Sequence, residues 1–223
     1  MKRIALTTLA TVLGALLLAG SPAEAGKGGG AAAALAPHDP VVFVHGYMGW
    51  GGNWNSFINW FKADGWTAGE LFTFSYNSTG DSNVKSAQSL ATFVNNVLSQ
   101  TGASQVDIVA HSNGGLVARY YMLKNGGAAK VDQLVAIGTP HKGTTTAYAC
   151  LSPACFEMRA GSSFLSTLGT KECDASYWSP CDEIIIPNSS AQCGRNAQTA
   201  CLGHVALLGS SSVYAGVRNY ITP

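Results

Sequence analysis

Residues 106–115 read VDIVAHSNGG, an apolar run that meets a turn of small and polar residues with no spacer, and residues 116–124 then take up helical spacing. The run has the length and β-branched content of a strand buried on both faces. A strand that passes directly into a helix belongs to a sheet whose faces helices cover. The same rhythm recurs along the chain. Pro40-Val41-Val42-Phe43-Val44 is a second buried strand, and residues 53–64 space Trp54, Phe57, Ile58 and Phe61 for a helix that Asn53 is placed to cap. Residues 71–76 read as a strand, residues 83–100 set Val84, Ala87, Leu90, Ala91, Val94, Val97 and Leu98 on one helical stripe, and residues 131–137 form a further strand. The expected class is therefore α/β, with a mostly parallel central sheet and helices on both faces. The pattern thins over residues 138–180, where a helix near 162–168 and a strand near 173–178 are expected. A closing helix is expected over residues 205–220.

The flanks bound where such a domain would work. Met1, Lys2 and Arg3 precede an apolar stretch over residues 4–20, and Ala23-Glu24-Ala25 stands before Gly26, the layout of a secretory signal peptide. Residues 1–25 are expected to be removed on export, residues 26–39 to form a flexible Gly/Ala arm, and residues 40–223 to form one domain of roughly 185 residues. No later segment reaches the ~18 uninterrupted apolar residues of a membrane span, so a soluble monomer without stable membrane insertion is expected. Loss of Lys2, Arg3 and Glu24 takes the formal charge from +1 to zero, and the remaining charges are scattered. Nucleic acid and anionic membrane are thus excluded as expected partners. The six cysteines all lie in the second half, and an even count behind an export signal reads as three disulfides. Of fifteen possible pairings, Cys150 with Cys155 and Cys181 with Cys201 are preferred. No C-x-x-C pair or suitably spaced histidine points to a metal, and neither metal nor cofactor is expected.

Ser112 is the candidate nucleophile. A serine hydroxyl attacks a carbonyl only if it is exposed, given a base and faced by donors for the oxyanion. In Ala110-His111-Ser112-Asn113-Gly114 the serine lies between strand and helix, flanked at both second neighbours by residues with little or no side chain. Such a turn lifts the hydroxyl above the sheet. His111 is read as packing behind it.

This segment, with Val44-His45-Gly46 near the start and Gly203-His204 near the end, resembles the α/β-hydrolase superfamily and, within it, the small secreted bacterial lipases of Bacillus and Streptomyces type (lipase class 2). The resemblance runs over about residues 40–220 and implies a minimal α/β-hydrolase fold without a lid domain. Two departures are visible: Ala110 replaces the first glycine of G-x-S-x-G, and Asn113 stands where these lipases usually carry methionine.

The resemblance implies a base that follows the acid in chain order. Only His141 and His204 lie downstream of Ser112. His141 would leave Asp132, at the wrong end of a strand, as the only intervening carboxylate, so His204 is expected to be the base. Asp182, beyond a strand-like segment in the position of the family's acid loop, is the expected acid, with Glu183 its near rival. Cys181 and Cys201 are read as a bridge pinning the two loops. The oxyanion donors are expected to be the backbone amides of Tyr47 and Asn113, with His45 structural, and Met48, Trp50, Val205 and Leu208 are expected to offer an apolar wall to acyl chains. The implied activity is secreted carboxylic ester (lipid) hydrolysis through an acyl-enzyme, in the manner of a triacylglycerol lipase or esterase. The same machinery would serve a cutinase-like polyester hydrolase, an acyltransferase or an amidase. An inactive secreted binding module is the non-enzymatic alternative.

Overall fold

The computed structural model describes residues 38–170 and 173–222. The expected signal peptide and most of the expected arm lie outside the described residues. Six strands form one all-parallel sheet in the order β2-β1-β3-β4-β5-β6: β1 is Val41–Val44, β2 Leu71–Phe74, β3 Val106–His111, β4 Val131–Ile137, β5 Ala175–Trp178 and β6 Arg195–Gln198. Alternate side chains of the central strands serve two cores. Val41 and Phe43 of β1, Val109 of β3 and Val135 and Ile137 of β4 face α1 (Asn55–Ala63) and α6 (Ser211–Ile221), packing on Phe57, Phe61, Val213, Tyr214 and Val217. Val42, Val44, Ile108, Ala110 and Leu134 face α2 (Asn83–Thr101) and α3 (Asn113–Lys124), packing on Leu90, Val94, Val117 and Tyr121. All these residues are buried, and each Val, Leu, Ile or Phe among them contributes about 1.5–3 kcal/mol relative to exposure. That is why the strands read as unbroken apolar runs.

Local chemistry sets the helix ends. Ser82, Ser152, Ser162 and Ser210 each accept an amide hydrogen bond as N-caps, of α2, α4 (Pro153–Met158), α5 (Ser163–Leu168) and α6. Gly102 closes α2 in the left-handed conformation at φ 73°. Two helices differ from the expectation. Asn53 does not cap α1: it lies in a 3-10 turn over Gly51–Trp54, and its side chain accepts from the Trp50 amide at 2.7 Å. The closing helix is divided, a 3-10 turn over Val205–Gly209 being followed by the Ser210 cap and α6. The β4-to-β5 crossover carries α4 and α5 over a small third core of Leu116, Cys155, Met158, Phe164 and Leu168. Among the described residues no separate lid lies over the strand ends, and no helix is long and apolar enough to cross a membrane. Disulfides join Cys150 to Cys155, Cys173 to Cys193 and Cys181 to Cys201.

Because β2 and β3 lie on opposite sides of β1, the chain reverses its winding direction between β1 and β3. The loops leaving such strands part at their carboxyl ends and open a crevice. Gly46 follows β1 there, and Ser112 follows β3.

Candidate active site

Ser112 adopts φ 53° and ψ −130°, a conformation that costs a side-chain-bearing residue about 1–3 kcal/mol. Its amide donates to the carbonyl of Ile137 in β4 at 2.9 Å, so the sheet holds the backbone while the turn reverses into α3. The turn closes because its neighbours lack side chains. A Cβ on Gly46 would stand 2.7 Å from the Ser112 Cβ, and one on Gly114 would stand 2.5 Å from the His45 carbonyl oxygen. Ala110 fills the place of the missing glycine without conflict, because it is a fully buried β3 residue packed in the α2/α3 core. His111 stays behind the turn, its Nε2 3.2 Å from the His204 carbonyl oxygen, and burial followed by the charge of His204 pushes its pKa down to about 3.

Asp182 and His204 meet across the ends of β5 and β6. The Nδ1–H of His204 donates to Asp182 Oδ2 at 2.8 Å, and both side chains are nearly out of solvent. The other carboxylate oxygen accepts the amides of Ile184 and Ile185, each at 2.9 Å. Burial alone would raise the carboxyl pKa. The hydrogen bond and charge of His204, with the two amides, outweigh burial and hold it below the ordinary carboxylate range. With Nδ1 engaged, Nε2 is the ring nitrogen left for a proton from elsewhere. Glu183 serves the backbone instead, its carboxylate accepting the amide of His204 at 2.9 Å, against the bare α-carbon of Gly203. The Cys181–Cys201 bridge ties the Asp182 segment to the His204 segment, and so does Ser179, whose hydroxyl oxygen accepts the Leu202 amide at 2.9 Å.

Ser112 and His204 line one cavity of about 230 Å³, with Gly46, Tyr47, Met48, Asn53, Val205 and Leu208 among its other walls. Of the four residues expected to contact acyl chains, Met48, Val205 and Leu208 are in this wall. Trp50 stands exposed beside it, over Gly52. No protein acceptor takes the Tyr47 amide among the described residues, and Asn113, first in α3, has no acceptor within its helix. The macrodipole of α3 adds positive potential at that end.

Residue types alone had not marked Gly138, which takes φ 56° and whose absent Cβ would lie 3.3 Å from both Asp182 Oδ2 and His204 Cε1. Its signal is a glycine directly after a buried strand. A second cavity, about 330 Å³, is lined by Arg119, His141, Lys142 and Cys193 and lies apart from Ser112 and His204. His141, Cys173 and Cys193 bring metal-ligand atoms within 4.8 Å of one another, but the two sulfurs are bonded to each other and so are not thiolate ligands in this state.

The profile of a family described as Lipase (class 2) matches residues 38–205. A triacylglycerol lipase of Burkholderia plantarii is 33% identical over 64% of this chain and 42% of its own length, and one of Pseudarthrobacter phenanthrenivorans is 35% identical over 47% and 34%. The matched segments thus span under half of these relatives. Among solved structures, a mature lipase of Bacillus licheniformis superposes with a TM-score of 0.73 at 14% identity, covering 86% of this chain and 95% of that one. Lipase B of Aspergillus fumigatus gives a TM-score of 0.69 at 18% identity, covering 83% of this chain and 53% of that one. At these identities the superpositions speak for the fold, which is that of the α/β-hydrolases.

Proposed function

Starting from the chain's membership of the class 2 lipase family, we propose that it is an exported hydrolase of carboxylic esters, acylglycerols among them, in which Ser112 is the nucleophile, His204 the base and Asp182 the acid. Ser112 attacks the ester carbonyl as its proton passes to Nε2 of His204. The alcohol leaves with that proton, and water activated by the same nitrogen hydrolyses the acyl-enzyme. Asp182 keeps the proton on Nδ1 and stabilises the imidazolium without taking the proton itself. The amides of Tyr47 and Asn113 receive the oxyanion, each worth about 3 kcal/mol in the transition state. Met48, Val205 and Leu208 supply an apolar wall for the acyl chain.

The observation that carries this reading is that His204, paired with Asp182 at 2.8 Å, lines the same cavity as a serine held at φ 53°. Three disulfides favour export. Among the described residues no lid covers the cavity mouth, so dissolved short-chain esters should react without an oil interface. Hydrolysis of p-nitrophenyl esters from acetate to palmitate, parent against Ser112→Ala, tests the assignment. A turnover loss on the order of 10⁶-fold is expected, and a variant that keeps the parent rate would overturn it.

A further inference from the structure

His45 is not exposed to the cavity, yet its ring is fully committed. Its Nε2 lies 3.2 Å from the Tyr76 amide nitrogen, which has only a proton to offer, so Nε2 is the accepting nitrogen. The proton of the neutral ring is therefore on Nδ1, which donates to the Gly46 carbonyl oxygen at 2.8 Å. Burial lowers the ring's pKa against the opposing pull of that same hydrogen bond, in keeping with a neutral imidazole. The Gly46 carbonyl belongs to the peptide unit whose N–H is that of Tyr47. In a planar trans peptide the two groups point in opposite directions, so an anchor on the oxygen fixes the aim of the amide. The Gly49 amide binds the same oxygen at 3.0 Å.

Tyr76 holds the imidazole in place. Its ring stacks on that of His45, with centroids 4.4 Å apart and planes 12° from parallel. Its hydroxyl donates to the His45 carbonyl oxygen at 2.9 Å and accepts from the Asn113 side-chain amide at 3.4 Å. That amide also donates to the side-chain oxygen (Oδ1) of Asn83 at 2.7 Å. One phenol thus touches both segments that hold the proposed oxyanion donors, and His45, Tyr76 and Asn113 are all buried or partly buried.

We propose that His45 is a positioning residue: its Nδ1–H orients the Gly46–Tyr47 peptide so that the Tyr47 amide meets the oxyanion, and Tyr76 braces it against Asn113. The inference rests on the ester-hydrolase reading above. It distinguishes hydrogen bonding from space filling, because an asparagine amide nitrogen occupies the place of imidazole Nδ1, whereas leucine fills the volume without a donor. The test compares His45→Leu, His45→Asn and Tyr76→Phe with the parent on p-nitrophenyl butyrate, with thermal unfolding followed in parallel. Since loss of one oxyanion donor costs about 10²–10³-fold in kcat, His45→Leu is expected to lower kcat about 10- to 100-fold with KM within about 3-fold. His45→Asn should recover most of that loss even where it unfolds at a lower temperature than His45→Leu. Tyr76→Phe, which keeps the stack, should lose kcat about 3- to 10-fold with little change in melting. An active parent with His45→Leu equal to it in kcat, or with Asn no better than Leu, overturns this inference alone. A parent that hydrolyses no ester overturns the functional reading and this one together.

Discussion

Gly46→Ala is the smallest change that separates packing from chemistry at this site. The added Cβ would stand 2.7 Å from the Ser112 Cβ, 3.2 Å from His111 Nδ1 and 3.3 Å from the His111 carbonyl oxygen, where ordinary contact begins at 3.4 Å. The first contact is about 0.7 Å too short, and neither side is free to retreat. The Ser112 amide is tied to Ile137 at 2.9 Å, and the Gly46 carbonyl is held by the Gly49 amide at 3.0 Å and the His45 ring at 2.8 Å. Overpacking of this kind costs about 1–3 kcal/mol of stability. The chemical effect should be larger in kind, because the displaced atoms carry the proposed nucleophile and the peptide opposite it, and a misplacement near 1 Å costs about 100-fold. A 10- to 100-fold fall in kcat on p-nitrophenyl butyrate is expected, with slower fluorophosphonate labelling of Ser112 and a small loss in urea stability. Gly209→Ala, where a Cβ meets nothing within 4 Å, should match the parent in all three assays. A folded Gly46→Ala protein with kcat within about 3-fold of the parent would refute the reasoning, since the close approach would then have no bearing on the reaction.

Asp182→Asn keeps the shape of the acid but leaves the His204 tautomer unsupported, and kcat should fall about 10⁴-fold with KM little changed; steady-state kinetics at neutral pH check this. Asp107 is buried on β3, and burial, followed by the charges of Asp39 and Asp132, raises its pKa from 3.8 to about 8. A carboxyl raised in the folded state stabilises it below the unfolded pKa and loses that contribution as pH climbs through the folded value. Asp107→Asn should therefore equal the parent near pH 4 and gain about 1.4 kcal/mol on it per pH unit toward pH 8; urea titrations across this window that show a constant difference would contradict it. Replacing Cys181 and Cys201 together by serine opens a bridge of sequence separation 20, with an expected loss of about 3 kcal/mol by loop entropy. Because the bridge joins the segments that carry Asp182 and His204, kcat should fall as well, whereas a stability loss at unchanged kcat would mean that Ser179 and Glu183 suffice to align them.

The central strands were legible because both their faces are buried, so that every residue of β1 reports the same environment. Residues 195–198 report nothing of the kind. All four side chains of β6 are exposed, and the strand exists through its main-chain ladder with β5, which periodicity does not register. For a related reason α4, six residues long with Ala154, Cys155 and Met158 inward, offers less than two turns of pattern. The expected helix over residues 205–220 overran its true start, since apolar residues at 205–208 keep helical spacing while Ser210 caps a separate element.

The candidate site divides along the same line. Ser112, Asp182 and His204 could be named as candidates because the roles proposed for them depend on side-chain type and chain order, and the sheet brings the last two to 2.8 Å. Glu183 and Asp182 are adjacent carboxylates, and type cannot separate them; what separates them is that one receives a ring nitrogen and the other a backbone amide. Gly138 is invisible for the complementary reason, since its contribution is the volume it leaves to the pair above it. His45 falls between these cases. Its imidazole acts on the Gly46 carbonyl next to it, so the consequence of its chemistry appears two residues away, at the Tyr47 amide. Where a reaction is governed by main-chain donors, the residues that matter are those that aim peptides, and they become recognisable only when the direction of each carbonyl is known.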